Sequence, residues 1–354
     1  MTQQTHASST PDPRPDTDGA GSSRPGPHRL FLVGGATLDA ATSMWNAVTG
    51  PRVRPLAPPI AGEQGSFQWR GHRIAWTRVG TGSPVILVHG IHATASSHEW
   101  RRVAADLARQ HTVYALDLLG FGRSDRPTLR YTAALYVSLL DDFARRVVAQ
   151  PAALVATSRS AAYAITLGAR DAARFPALVL VAPTGLTRID APTPGRTTLT
   201  RDMVAAPVLG HGLWSSMVSR SSLRAFLKAS YADKGLVTEE LVEAHWQAAH
   251  QRGARHAPAS FVGHLLDLDV REPFRRLTQP TFILWGEQAS ASPVDEIRPF
   301  MATRPDFAYV ILDPAGDVPH DERPADFVRL VTEFLDRAGH TSHETSGTGP
   351  RRVA

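Results

Sequence analysis

No cysteine occurs anywhere in the 354 residues. That removes disulfides, thiolate metal sites and a catalytic thiol, and it fits a reducing, cytoplasmic setting. Lysine is nearly missing too, with Lys228 and Lys234 the only two. The formal charge of +5 therefore rests on arginines scattered through helical stretches. No concentrated basic stripe with interleaved aromatics appears, so the sequence points away from a nucleic-acid partner. Long apolar runs are also absent. The nearest is Leu30-Phe31-Leu32-Val33, followed by Leu38, Ala41, Trp45 and Val48, but Asp39, Asn46 and two glycines interrupt it. That is too polar for a membrane span, and it lacks the terminal basic region and small-residue cleavage site of a signal peptide. Its spacing predicts an amphipathic helix docked on the domain, and leaves open a peripheral membrane contact through residues 30–48.

What remains is enough for a substantial core, since 42% of the residues are hydrophobic. Residues 1–29 are rich in Pro, Gly and Ser and read as a disordered tail, as do residues 339–354. Residues 30–64 hold the amphipathic segment and a linker. From Gly65 onward short strands alternate with helices. Phe67-Gln68-Trp69 and Ile74-Ala75-Trp76 flank Arg70-Gly71-His72 and predict a hairpin. Pro84–Val88, Val113–Leu116, Ala152–Val155, Leu178–Val181, Thr281–Trp285 and Ala308–Leu312 are short continuous apolar runs, as strands buried on both faces require. Helical patterns over about 98–110, 131–149, 159–174, 294–303 and 324–338 separate them. This alternation predicts an α/β fold with a mostly parallel sheet covered on both faces. Residues 186–279 break the rhythm with helices only (Ser221–Tyr231, Thr238–Gln251, Ala259–Leu268), and read as a helical lid over the C-terminal sheet edge. The core is then 65–185 with 280–338.

Within that frame, Leu154-Val155-Ala156-Thr157-Ser158-Arg159-Ser160-Ala161 places a serine between small residues, after a strand and before a helix. Val88-His89-Gly90-Ile91 follows the first long strand, and Asp117-Leu118-Leu119-Gly120-Phe121-Gly122-Arg123-Ser124-Asp125 follows the second. Ile283-Leu284-Trp285-Gly286-Glu287 and Pro319-His320-Asp321-Glu322-Arg323-Pro324 come late in the chain. In this order the pieces resemble the α/β-hydrolase superfamily, in its single-domain esterase, epoxide-hydrolase and haloperoxidase-like branch, over about residues 65–338. The resemblance implies that Ser158 sits on a nucleophile elbow, with small Ala156 and Ser160 where the family usually has glycine. It also implies an oxyanion hole from the backbone N–H groups of Ile91 and Arg159. His89, His92 and Arg159 become candidate pocket residues.

The same resemblance exposes two gaps. The family's acid usually follows Trp-Gly-Glu closely, and Ala289 stands there. The family's histidine usually follows the last strand, and Asp317 fills that slot. Serine is a weak nucleophile without a base, and a carboxylate of pKa ~3.9 is a poorer one than imidazole near ~6.5. His320, three residues on, is a substitute base if the loop is rearranged, or else a helix-entry residue. His92 and His98 lie at the expected pocket rim, where they also serve as polar loop residues. His211, His245, His250, His256 and His264 lie in the insertion. No histidine pair shows helical zinc spacing, and Gly120-Phe121-Gly122 lacks the rest of a dinucleotide fingerprint, so no metal and no cofactor are expected. Arg159 would either pair with Asp317 or hold an anionic substrate. Asp117 and Asp125 read as turn-forming.

Three functional readings follow. The first is a hydrolase or acyl-transfer enzyme using Ser158 with a non-standard base on a small apolar ester, thioester or lactone. The second is a lyase, isomerase or cyclase in the same pocket. The third is a catalytically inactive binding protein on this fold. The expected partner is a small molecule, and the oligomeric state is unspecified.

Overall fold

The computed structural model describes residues 53–186 and 209–340. The N-terminal tail, the amphipathic segment over 30–48, the opening of the insertion and most of the C-terminal tail lie outside the described residues. Eight strands form one sheet in the order β1-β2-β4-β3-β5-β6-β7-β8. They are β1 Glu63–Trp69, β2 His72–Val79, β3 Ser83–Val88, β4 His111–Leu116, β5 Ala153–Thr157, β6 Leu178–Val181, β7 Thr281–Gly286 and β8 Ala308–Leu312. The β1–β2 hairpin closes on Arg70 and Gly71, both at positive φ, with Trp69 paired to His72. Two central residues at φ > 0 match the twist of the flanking strands.

From β3 through β8 the sheet is parallel, and its apolar strands alternate between two cores. Ile86 and Val88 pack on one face beside Tyr136, Tyr163 and Trp285. Val85 and Leu87 pack on the other beside Trp100, Leu107 and Phe327. Side chains point alternately up and down a strand, so a continuous apolar run feeds both layers. β3 pairs with β4 on one side and β5 on the other. That reversal of strand order opens a crevice at the C-terminal ends of β3 and β5, where doubly wound sheets bind ligands.

Helices α1 Ala104–Leu107, α2 Ala133–Phe143, α3 Ser158–Arg170, α9 Ile297–Thr303, α10 Pro319–Glu322 and α11 Pro324–His340 cover the sheet. α11 runs past the expected start of the tail at 339. The helix expected over 98–110 is instead a 3₁₀ turn, Ser97–Trp100, and the short α1. The turn is held by the Asp117 carboxylate, which accepts the buried Ser97 N–H at 2.7 Å.

Between β6 and β7 the described residues form α4 Leu209–Met217, α5 Arg220–Ser230, α6 Glu239–Ala249, α7 His256–Val262 and α8 Arg271–Arg275. Ser219 and Thr238 cap α5 and α6, their hydroxyls accepting from Ser222 N–H and Leu241 N–H. The third helix expected here, over 259–268, starts earlier and ends at Val262. Gly263 follows, and His264 turns to a φ of 54°. Trp214, Val218, Leu223 and Ala249 form a small core within the insertion.

Candidate active site

The site is assembled where β3 and β5 end. Ser158 begins α3 directly after β5 with a φ of 50°, a left-handed conformation that side-chain-bearing residues rarely adopt. Such strain, about 1–3 kcal/mol, persists only where the surroundings impose it. Here they do: Thr157 before it and Ser160 after it are both fixed by hydrogen bonds. The buried Ser160 hydroxyl donates to the His89 carbonyl at 2.6 Å, tying the first turn of α3 to the end of β3. A serine thus replaces glycine in the tight turn by adding a bond rather than a clash. Ser158 is partly exposed and lines a cavity of about 210 Å³. Its hydroxyl has no hydrogen-bond partner among the described residues.

Ile91 and Arg159 flank the same cavity. Their backbone N–H groups also lack partners among the described residues, as expected of a loop at a strand end and the first turn of a helix. A helix N-terminus beside two unpaired N–H groups favours negative charge.

Glu99 also lines the cavity. One of its oxygens accepts the Gly90 N–H at 2.8 Å, and the other accepts the Thr157 hydroxyl at 2.7 Å. His320 Nε2 stands 3.4 Å from that second oxygen. Burial would raise the Glu99 carboxyl, but the neighbouring His320 and the Thr157 hydroxyl outweigh it and hold the group at about 2. His320 is fully buried against the Trp100 ring, with 4.7 Å between centroids. It lines the cavity, yet neither ring nitrogen has a conventional hydrogen bond. Beside it, Asp321 is held by Arg101 at 2.9 Å and by the Tyr231 hydroxyl.

Three more histidines line the cavity: His92, His98 and His245. The Thr94 hydroxyl bridges His92 Nδ1 at 3.2 Å and His245 Nδ1 at 2.6 Å, joining the loop after β3 to α6. Burial lowers His92 and His98 to about 4, and lowers His245 well below the usual range. All three are neutral near pH 7. Among the described residues, no group of three or more His, Asp or Glu is arranged to hold a metal ion.

The sequence profile of the Alpha/beta hydrolase family matches residues 85–330. This chain belongs to the α/β-hydrolase family. A 2-hydroxy-6-oxo-6-(2'-aminophenyl)hexa-2,4-dienoic acid hydrolase of Metapseudomonas resinovorans is 24% identical over 273 residues, covering 75% of this chain and 89% of that protein. A 2-hydroxy-6-oxo-2,4-heptadienoate hydrolase of Pseudomonas putida is 27% identical over 268 residues, covering 73% and 90%. Among solved structures, the meta-cleavage product hydrolase of Pseudomonas fluorescens aligns with a TM-score of 0.66 at 24% identity, over 79% of this chain and 99% of that one. That likeness speaks for the shared fold.

Against this α/β-hydrolase frame, the two unusual positions differ in character. Ala289 is buried in the apolar core, where a carboxylate would be desolvated without a partner. Asp317 lines the cavity. Its carboxylate accepts the Ala291 N–H at 2.9 Å and the Ser290 hydroxyl at 3.1 Å, and burial shifts it upward.

One pocket assignment and one expected ion pair need correcting. His89 does not line the cavity: its Nδ1 meets the Gly90 carbonyl at 2.7 Å and its Nε2 accepts the Leu118 N–H at 3.1 Å, so both nitrogens serve the backbone. Arg159 does line it, but pairs with Asp267 of the insertion at 2.6 Å and packs on Phe261, not with Asp317. The insertion delivers Asp267 to Arg159, while the Asp317 carboxylate is occupied by the loop after β7. Of the other insertion histidines, His264 pairs with Asp267, His250 stacks on Trp246, and His256 meets Thr128. The His211 side chain lies outside the described residues. Asp117 and Asp125 bond to backbone N–H groups, as turn-forming residues should. Sequence reasoning missed Glu99, Thr94 and Tyr231. The Glu99 contact to Thr157 spans 58 positions and Thr94 to His245 spans 151, distances at which no local pattern carries a signal.

Proposed function

We propose that this chain is a hydrolase or acyl-transfer enzyme acting through Ser158 on a small, neutral, largely apolar ester, thioester or lactone. The observation that carries this reading is the strained φ of Ser158 at a strand-to-helix turn, facing a cavity flanked by unpaired N–H groups. The Ser158 hydroxyl oxygen attacks the carbonyl carbon, and the developing oxyanion is received by the Ile91 and Arg159 N–H groups. The serine proton passes to His320, whose imidazolium is stabilised by the Glu99 carboxylate 3.4 Å away. The leaving group takes that proton as the acyl bond breaks, and water or an acceptor alcohol then releases the acyl group. Hydrogen bonds between a catalytic serine and its base are often long or unformed without substrate, and closure of the insertion as a lid would bring Ser158 and His320 together.

Charge supports the substrate class. Arg101 and Arg159 are committed to Asp321 and Asp267, while Glu99 and Asp317 add carboxylates to the wall. The relatives are named for hydroxy-oxo-dienoic acids, but in this cavity a substrate carboxylate would meet like charge, with no free cation among the described lining residues. A neutral acyl group avoids that repulsion.

The unpartnered Ser158 hydroxyl favours a second reading, in which the cavity and its N–H groups serve a lyase, isomerase, cyclase or binding function without a nucleophile. A fluorophosphonate probe read by intact mass separates the two. Labelling of the wild type and not of Ser158→Ala supports the hydrolase, and an unlabelled wild type supports the second reading.

A further inference from the structure

A second cavity of about 230 Å³ lies beside the first and shares Ser96, His98 and Ala244 with it. Its remaining apolar wall comes from Leu56, Ala57, Pro58, Pro59 and Ala248. Ala244 and Ala248 are one turn apart on α6, so that helix lays a strip of methyl groups across both spaces. The charged groups at the far wall are already satisfied. Asp117 accepts from Ser97 N–H, Arg123 N–H and Arg123 Nε, and Arg123 also bonds Thr77. Both are thus already engaged within the protein. His98 stands in the partition with its ring edge toward His245, 6.2 Å between centroids. Burial keeps that imidazole neutral near pH 7, so it sets no charge in the way.

We propose that the second cavity is a subsite for an uncharged alkyl chain, which runs past His98 while the carbonyl of the same substrate sits at Ser158. The inference rests on the reading above only for where the carbonyl lies. It widens the substrate class from small apolar esters to those carrying an extended aliphatic limb.

The test is a binding measurement on the full-length Ser158→Ala protein, in which hydrolysis through Ser158 cannot occur. Dissociation constants are taken for methyl butanoate and methyl decanoate. Each methylene removed from water tightens binding severalfold, so the longer ester is expected to bind at least ~30-fold more tightly. Adding Ala248→Trp fills the second cavity and is expected to cut that ratio below about threefold, leaving methyl butanoate within about twofold. Ala248→Leu, a smaller intrusion, serves if the tryptophan disturbs folding, and should give an intermediate ratio. A ratio near one in the parent, or a ratio untouched by either substitution, overturns the subsite. Turnover of methyl butanoate by the wild type reads the hydrolase assignment separately, so the two claims fail independently.

Discussion

At the scale of single residues, Ser158 trades stability for position. A left-handed φ of 50° is free for glycine and costly for serine. Ser158→Gly is therefore expected to raise the unfolding free energy by about 1 kcal/mol while abolishing probe labelling. Chemical denaturation would show it, and a destabilised variant would mean the serine side chain holds the turn rather than being held by it. The base assignment is also a residue-level claim. His320→Gln should slow fluorophosphonate labelling by about 10²-fold or more, and Glu99→Gln by a smaller factor, with Asp317→Asn within about threefold of wild type. If Asp317→Asn abolishes labelling and His320→Gln spares it, the base is the carboxylate in the family's histidine slot. Ser158 was legible in the sequence because its neighbours must be small for local steric reasons. Glu99 was not, because its partners are set by how β3 and β5 lie side by side.

At the scale of elements, several polar ties fasten the insertion to the core, and two of them reach the walls of the site. Thr94 reaches His245 on α6, and Arg159 on α3 reaches Asp267. The histidines at and around the first tie make it pH-dependent, since burial lowers His245 as well as His92 and His98. His92 and His98 titrate at about 4 when folded, below the ~6.5 of an unfolded histidine. The unfolded chain then binds more protons between those values, so the stability these groups contribute is full above ~6.5 and is lost as pH falls toward 4. Glu99, at about 2 against 4.5, adds a second loss below pH 4.5. Thermal melts from pH 7 to 4 should show the transition falling, and replacing His92 and His98 by asparagine should flatten the slope. A slope unchanged by the double replacement would contradict the neutral-histidine assignment. Three helices of the insertion were visible in the sequence as helical patterns, whereas α4 and α8 were not. Their ends and their contacts were not, since Gly263 and the His264 turn answer to packing against the core.

At the scale of the whole molecule, the sheet was the most legible feature. Every central strand is a continuous apolar run because it is buried on both faces, and that pattern is specific to a covered parallel sheet. Strand order and the crevice at the β3–β5 reversal come from the structure, while the profile match over 85–330 bears out the family that the motifs resembled. The cavities themselves were invisible in the sequence. Their walls come from the loop after β3, the turn Ser97–Trp100, α5, α6 and the loop after β8, and no stretch of residues announces that they converge. Among the described residues, no helix is long and apolar enough to cross a membrane. The central claim is that this convergence activates Ser158 although Ala289 and Asp317 stand where the resemblance leads one to expect an acid and a histidine. Intact-mass detection of fluorophosphonate labelling tests it most directly: the account predicts one adduct on the wild type and none on Ser158→Ala, and an unlabelled wild type, or labelling that survives Ser158→Ala, would contradict it.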